Sequence, residues 1–432
     1  MDIIYDSKVF DSVSKEIESL NAEDILYLKG MSHYLTHLSY DIYSKVATKA
    51  SDEKIADIFQ SAAALKELRP VTVTAIIICR NEEKCIQRCL ESIQACQFDE
   101  IIVIDTGSTD DTISILLSLQ AHLPNIQIYN TQWEDNFAEA RNYGLDLAKS
   151  DWVFFIDADE FYLNQQEYSV KELISFFSVY YQGNLCICPN IINSNKHELY
   201  NNPRIFRKDS GYRYYGNVHE TLRRNSHSYE FVPNIGLNIK FGHDGYDRII
   251  FSQKNKEERN VGLLFKAMEA EPDNPMWKCY LARDGMEKLR QDVIVQLCEE
   301  AIQLCKGKTT YFFTYNNCWA HTLLIDLYIK SKEADEAIPL LNNLKMNSLE
   351  LDETDIYYRE QLIYLIQKEK ELEDNLTEIK NYRKRHSVTV RSALNTQGYH
   401  LDELIMRFNY LTHNMDEYHH YRNYLSQLNY LI

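Results

Sequence analysis

Long apolar runs, cysteine frameworks and glycine-rich phosphate motifs are all missing from this sequence. No stretch of about 18 or more apolar residues occurs, and the amino terminus MDIIYDSKVF has no signal-like region, so we expect a cytoplasmic protein without a stable membrane anchor. The ten cysteines lack zinc or disulfide spacing, which fits reduced, buried thiols. No G-x-G-x-x-G follows the first apolar run and no G-x-x-x-x-G-K-[ST] occurs, which argues against a dinucleotide dehydrogenase and a P-loop enzyme.

Positive charge is also scarce. Lys and Arg number 46 against 64 Asp and Glu, and the formal net charge is -18. This balance argues against a nucleic-acid partner and against adhesion to anionic lipid. Any anionic ligand must therefore be met by local cations or by a metal ion.

The remaining sequence divides into three parts. Residues 1–68 have a helical pattern, and we expect an N-terminal helical extension. Residues 69–250 alternate strand and helix signals, which predicts an α/β domain with a parallel sheet. Residues 251–432 read as helical, with degenerate tetratricopeptide-like features near 320–341. The predicted strands of the middle part begin with VTVTAIIIC (71–79), EIIVID (100–105), IQIYN (126–130) and WVFFID (152–157).

Three polar loops follow strands of this predicted sheet, and in an open parallel sheet such loops share one crevice. In CRNEE (79–83), Arg80 can meet a phosphate or stack on a base, and Glu82 can accept from a ribose hydroxyl. An ordinary turn capped by Glu83 is the alternative. In DTGSTDDT (105–112), Asp105 can accept from the N3–H of uracil and Gly107 permits a sharp turn, while Ser108 can bind ligand or simply cap the next helix.

The third loop, FIDADE (155–160), contains two carboxylates two residues apart. In an extended chain Asp157 and Asp159 project to the same side, and paired carboxylates suit Mg²⁺ or Mn²⁺. Such a metal would offset the charge of a departing nucleoside diphosphate. A D-x-D also occurs in ordinary solvated loops, so the motif alone does not decide between the two.

Taken together, the three loops resemble those of the family-two inverting glycosyltransferases with the Rossmann-like GT-A fold, which carry a similar N-E loop, a D-x-G-S-T-D-x-T turn and a D-x-D. The resemblance covers about residues 71–250 and extends to WEDNFAEARN (133–142). It implies that Cys79 lies in the nucleotide-sugar site and that Arg141 approaches the diphosphate. The sequence departs from the family where Thr106 replaces a common second Asp, and where Ile78, Cys79 and Arg80 replace Pro-Thr-Tyr.

Two downstream segments extend the resemblance. PRIFRKDSGYRYYGNVHETL (203–222) is similar to the family's R-x-F-R…G-x-V-H-E element, and FGHDGY (241–246) to its H-x-G-Y. The implied roles are donor phosphate or acceptor carboxyl contacts for Arg204 and Arg207. His219 and Glu220 become candidates for acceptor positioning or the general base, and His243 for a metal ligand or diphosphate contact. A hydrogen-bonded structural histidine is the alternative for each His.

The whole layout resembles the sublancin-type peptide S-glycosyltransferases that modify glycocin bacteriocins. That resemblance implies transfer of a hexose, with glucose as the expected sugar, from a UDP-sugar to Cys and also Ser of a precursor peptide. It also implies a homodimer through the C-terminal helices. Two alternatives remain at this point: a transferase acting on a polysaccharide or lipid-linked sugar, and a non-enzymatic tetratricopeptide-type adaptor.

Overall fold

A computed structural model describes most of the chain after residue 70. It covers residues 71–163, 169–171, 174–175, 178, 186–199, 202–226, 229, 231–232, 234–243, 256–347, 353–388 and 390–430. The predicted N-terminal helical extension lies outside the described residues.

The first half of the α/β domain alternates strands with helices, as the sequence predicts. Strands β1, β2 and β4 are almost wholly buried, because their Ile, Val and Phe side chains are covered on both faces. Strand β1 pairs in parallel with both β2 and β4, and β2 with β3. The elements are β1 (Val73–Cys79), α1 (Ile86–Ser92), β2 (Glu100–Asp105), α2 (Thr112–Gln120), β3 (Ile126–Asn130), α3 (Phe137–Leu147) and β4 (Trp152–Asp157).

The second half adds shorter strands and turns the parallel sheet into a mixed one. Strand β8 runs antiparallel to β4, while β11 runs parallel to β6 and antiparallel to β5. Within the described residues the strand order is β3-β2-β1-β4-β8-β6-β11-β5, with β7 beside β6 and with β9 and β10 forming a separate hairpin. These strands are β5 (Glu160–Tyr162), β6 (Cys186–Asn193), β7 (Glu198–Leu199), β8 (Ile205–Arg207), β9 (Arg213–Tyr215), β10 (Thr221–Arg223) and β11 (Asn234–His243).

Apolar side chains form a buried core on each face of the sheet. On one face Ile77 and Phe154 pack with helix α1, and on the other Ile76 and Phe155 pack with helix α3. Gly144 of α3 is needed for close packing, since a Cβ there would lie 2.5 Å from Ile76. The two cores fix where the carboxyl ends of β1, β2 and β4 meet.

Helices make up the C-terminal region, as predicted. They are α4 (Lys256–Ala270), α5 (Pro275–Asp284), α6 (Gln291–Cys305), α7 (Tyr311–Lys330), α8 (Ala334–Asn347), α9 (Glu353–Arg385), α10 (Tyr399–Leu411) and α11 (Met415–Gln427). Ala337 and Leu341, at the end of the tetratricopeptide-like segment, are buried in an apolar cluster formed by α7, α8 and α9. No helix in the described ranges is long and apolar enough to cross a membrane.

The chain packs as two compact units. The sheet unit extends to Gly285 and also includes Leu304–Thr314, and the other unit contains Met286–Gln303 and Tyr315–Ile432. Helices α4 and α5 therefore pack with the sheet unit. The domain boundaries predicted at residues 68 and 250 stay predictions.

Candidate active site

A cavity of about 850 Å³ opens at the carboxyl ends of the parallel strands. The loops after β1, β2 and β4 line it, as the sequence predicts, together with the loop 216–220, the end of β11 and the start of α4. The predicted site residues on its wall are Cys79, Arg80, Glu82, Arg141, Asp157, Asp159, Arg204, His219, Glu220 and His243.

The loop after β2 is folded back on itself. The carboxylate of Asp105 accepts hydrogen bonds from the backbone N–H groups of Gly107 (2.9 Å) and Ser108 (3.0 Å) and from the Ser108 hydroxyl. Gly107 makes this turn possible because its φ is +96°. These three residues shape the turn and do not line the cavity, whereas Thr106 does. The Cys79 thiol also donates to this carboxylate at 3.8 Å, and the contact of Asp105 with uracil stays a prediction.

Two buried arginines hold Asp157, the first carboxylate of the D-x-D. Its Oδ1 accepts from Nη2 of Arg141 at 2.8 Å, and its Oδ2 accepts from Nη2 of Arg204 at 2.7 Å. Burial alone would raise the pKa of Asp157, but the two guanidinium groups outweigh it and hold the pKa well below its usual value. Asp157 is therefore ionised at neutral pH, and both of its oxygens are engaged by cations.

Glu160, which the sequence reasoning left out, lies beneath this cluster. Its Oε2 accepts from the backbone N–H of Asp157 at 2.9 Å, and its other oxygen is 3.4 Å from Nη2 of Arg204. Burial raises the pKa of Glu160 to about 7, with Arg204 opposing the shift and Asp157 adding to it. A carboxyl three residues after Asp157 in the motif DADE is the one sequence signal that points to it.

Asp159, the second carboxylate of the D-x-D, lies next to His243. Nε2 of His243 is 3.4 Å from Oδ1 of Asp159, and its Nδ1 bonds Oδ1 of Asn193 at 2.9 Å. The sheet register sets this arrangement, because His243 pairs with Asn193 of β6 on one side and with Glu160 of β5 on the other. Burial disfavours the charged ring, yet the nearby carboxylates outweigh it and raise the pKa of His243.

The donor set at this point fits a divalent cation. In the described residues no group of three or more His, Cys, Asp and Glu side chains is arranged to hold a metal ion by itself. Mg²⁺ is commonly bound through one or two carboxylates together with substrate phosphates, and Asp159 supplies one such carboxylate. His243 would add a nitrogen ligand, and Asn193 accepts from its other ring nitrogen, as partners of metal-bound histidines do. Asp157, whose oxygens are occupied by arginines, is the weaker of the predicted ligands.

The loop 216–220 brings the other two predicted catalytic residues to the cavity. Glu220 accepts a short hydrogen bond from Nε of Arg141. His219 has a left-handed backbone, with φ of +50°, and its ring stacks on Tyr280 with 4.2 Å between ring centroids. Its Nε2 lies 2.8 Å from Oδ2 of Asp284, at the end of α5. Sequence reasoning missed Tyr280 and Asp284, because a separation of more than sixty residues carries no local signal.

Arg207 is a correction to the sequence interpretation. Strand β8 runs antiparallel to β4 and aligns Arg207 with Trp152, at the start of β4, far from Asp157 at its end. The Arg207 side chain pairs with the exposed Asp209 at 2.9 Å and does not line the cavity. Of the two arginines in R-I-F-R, the structure brings only Arg204 to the site.

The fold and the site define the class of the protein. Residues 74–234 match the family model "Glycosyl transferase family 2", so the chain carries a family 2 glycosyltransferase domain. Its mixed sheet, with the cavity at the carboxyl ends of the parallel strands, is of the GT-A type.

The similarity to one group of relatives runs far beyond this domain. The chain is 29% identical over 395 residues to the SPbeta prophage-derived glycosyltransferase SunS of Bacillus subtilis (strain 168). The aligned region covers 89% of this chain and 88% of that protein. The values for glycosyltransferase SunS of Bacillus phage SPbeta are the same. Among solved structures, S. aureus TarS matches with a TM-score of 0.39 and 14% identity, over 62% of this chain and 54% of that chain.

Proposed function

We propose that this glycosyltransferase moves a hexose, with glucose as the expected sugar, from a UDP-sugar to a cysteine of a small bacteriocin precursor peptide, with serine as a second acceptor, and that it inverts the anomeric centre. The observation that carries the proposal is that one cavity is lined by two groups of residues, which we name the donor side and the acceptor side. Asp157, Asp159 and His243 define the donor side, and His219 and Glu220 define the acceptor side. Arg141 connects the two, because it binds both Asp157 and Glu220.

The first side suits the diphosphate of the donor. Arg141 and Arg204 are buried beside it, and in the described residues Nη1 of each has no hydrogen-bond partner. The two guanidinium groups place positive charge next to the expected diphosphate. The carboxylates nearby would repel a diphosphate, so a divalent cation held by Asp159 and His243 is expected with it. Such an ion, when bound, supplies Lewis-acid stabilisation of the leaving UDP.

The second side suits the acceptor. The Glu220 carboxylate is bound by Arg141, which favours a positioning role for Glu220. His219 is partly exposed on the cavity wall and is the better candidate for the general base. A thiol ionises near pH 8.5 and so needs less help from a base than a hydroxyl does.

The choice of a peptide acceptor rests on the layout of the whole chain. The chain resembles the sublancin-type peptide S-glycosyltransferases, and its similarity to SunS covers 89% of its length, so it reaches into the helical region. A carbohydrate acceptor is the second candidate and shares the donor side of the cavity.

Intact-mass analysis tests the proposal. The full-length protein is incubated with Mn²⁺, a panel of UDP-sugars and a Cys-containing bacteriocin precursor. We expect one hexose to be added per modified cysteine, no addition when that cysteine is changed to alanine, and no addition after metal removal with EDTA. Asp159→Asn should raise the Mn²⁺ concentration for half-maximal activity at least about tenfold, whereas Asp209→Asn, an exposed matched control, should not. Release of UDP without a mass gain on the peptide would instead support a carbohydrate acceptor.

A further inference from the structure

Helix α5, which follows the matched family domain in sequence, packs directly against the loop 216–220. Gly216 touches Trp277 so closely that a Cβ would lie 2.5 Å from its ring. One turn further along α5, Tyr280 stacks on His219 with 9° between the ring planes. Asp284 then meets the same histidine at 2.8 Å. Because residues three, four and seven apart share one face of a helix, a single face of α5 makes all three contacts.

The start of α5 is fixed independently of this loop. Asn274 is buried, and its side chain accepts from the backbone N–H of Met276 at 3.0 Å, a standard helix cap. The Trp277 ring N–H donates to Glu271 at 2.8 Å, and Glu271 also accepts from Arg223 at the same distance. The Asn274 cap and the hydrogen bonds of Glu271 therefore hold the start of α5, and with it the helix face that meets His219.

The hydrogen bond to Asp284 determines which nitrogen of His219 carries a proton. An ionised carboxylate only accepts, so Nε2 must be the protonated nitrogen. Burial raises the pKa of Asp284, but its bonds to His219 and Arg283 outweigh burial and lower it, which keeps the carboxylate ionised. Nη2 of Arg283 lies 3.3 Å from the same Nε2, a longer approach than that of Asp284, and Nε of Arg283 binds the other carboxylate oxygen at 2.7 Å. No hydrogen bond from another described residue reaches Nδ1.

We propose that Asp284 is the positioning residue for His219: it fixes the Nε2–H tautomer and so leaves the Nδ1 lone pair to accept the proton of the acceptor. The proposal rests on the proposed function for the nature of the acceptor. Tyr280 completes the arrangement by holding the ring plane. Carboxylate–histidine pairs set tautomer and orientation in this way in general-base catalysis.

In the proposed step the acceptor S–H or O–H proton moves to Nδ1, and the sulfur or oxygen lone pair forms the new bond to C1 of the sugar. The bond between C1 and the phosphate oxygen breaks, and its electron pair leaves with UDP. The imidazolium ion that forms is stabilised by the ionised Asp284 until it loses its proton to solvent.

Asp284→Asn is the central variant, with Asp292→Asn as the matched control because Asp292 is an exposed carboxylate paired with Arg290. We expect Asp284→Asn to lower kcat at least about 100-fold for a serine acceptor and only about tenfold for cysteine, since the thiol needs the base less. The affinity for the UDP-sugar and the KM for the acceptor should stay within about twofold of the wild-type values. Equal kcat for Asp284→Asn and Asp292→Asn would overturn the proposal.

Nitrogen NMR of the ¹⁵N-histidine-labelled full chain gives a readout that needs no acceptor. His219→Gln identifies the His219 signals, and the wild-type protein should show a protonated Nε2 and an unprotonated Nδ1. Asp284→Asn should change that pattern. A wild-type spectrum with the proton on Nδ1 would overturn the assignment even if the variant folded poorly.

Failure of the proposed function can be distinguished from failure of the proposal for Asp284. If the wild-type protein adds no sugar to the peptide, the acceptor assignment is wrong. The tautomer and the rate of UDP-sugar hydrolysis in the two Asp→Asn variants then decide the role of Asp284: loss of hydrolysis in Asp284→Asn alone supports it, and equal hydrolysis in both contradicts it.

Discussion

At the scale of single residues, the central feature is an anion held between two buried cations. The side chains of Arg141 and Arg204 are each 8% exposed and share the carboxylate of Asp157. Glu220 also accepts from Arg141, and Glu160 lies 3.4 Å from Arg204. Burying these charges together costs free energy of folding. Removing one member costs still more, because it leaves a buried charge unpaired.

Asp157→Asn should therefore lower the free energy of unfolding by about 3 kcal/mol at pH 7. Asp146→Asn, which removes the partner of the exposed Arg213, should lower it by less than about 1 kcal/mol. Chemical denaturation measures both values.

The pH dependence of this difference follows from the sign of the shift. The pKa of Asp157 is lower in the folded state than its usual 3.8. Its stabilisation is therefore fully present above that value and declines as the pH falls below it. The difference between wild type and Asp157→Asn should shrink in acid, and a difference that grows there would contradict this assignment.

At the scale of secondary-structure elements, the site depends on a loop fixed between two helices. The backbone N–H of Phe137, at the start of α3, donates to the carbonyl of Asn217 at 3.0 Å. The Asn142 side chain pairs with both backbone groups of Tyr214 at 2.9 Å. On its other side the loop packs against α5 through Trp277 and Tyr280. Motion of either helix would change the position of His219.

Gly216→Ala tests this dependence. Gly216 has φ of +107°, and a Cβ there would overlap the Trp277 ring. We expect a loss of about 3 kcal/mol of stability and a larger proportional loss of kcat than of donor affinity.

Gly211→Ala is the matched control for that change. Its φ is +75°, and a Cβ there would have no atom within 4 Å. It should therefore cost only the backbone strain, about 1 kcal/mol, and leave kcat unchanged. Similar kcat values in the two alanine variants would show that close packing on α5 is not required for transfer.

At the scale of the whole molecule, helix α9 has an exposed aromatic stripe. Tyr357 and Tyr358 are each 63% exposed, and Tyr364 and Leu365 are 52% and 55% exposed. Spacings of seven residues align Tyr357 with Tyr364 and Tyr358 with Leu365, in two neighbouring rows about 100° apart around the helix, so the four form one patch. Exposed apolar patches commonly mark interaction sites, so we propose that this face contributes to a homodimer.

Light scattering of the purified full-length protein should then give about twice the monomer mass of 50.9 kDa. Leu365→Lys should shift the population toward monomer, while Leu394→Lys, at a position that is 77% exposed outside this stripe, should not. A monomeric wild-type protein would rule out the proposed homodimer.

The sequence by itself determined the strands β1 to β4, the loops that follow β1, β2 and β4 at the cavity, and the helical C-terminal region. It could do so because buried parallel strands are short continuous apolar runs and because residues close in sequence stay close in such motifs. Arg204 and Arg207 show where this stops. They are equivalent in the sequence, and only the antiparallel pairing of β8 with β4 places one at the cavity and the other at the opposite edge.

Tertiary structure alone decided the partners of the site residues. Asp157 is bound by Arg141 and Arg204, and His219 is bound by Asp284 on α5. These partners are distant in sequence, and their contacts depend on strand order and helix packing, which local patterns do not encode. The sequence therefore predicts which residues are candidates for catalysis, whereas their orientation and charge are determined by contacts that exist only in the folded chain.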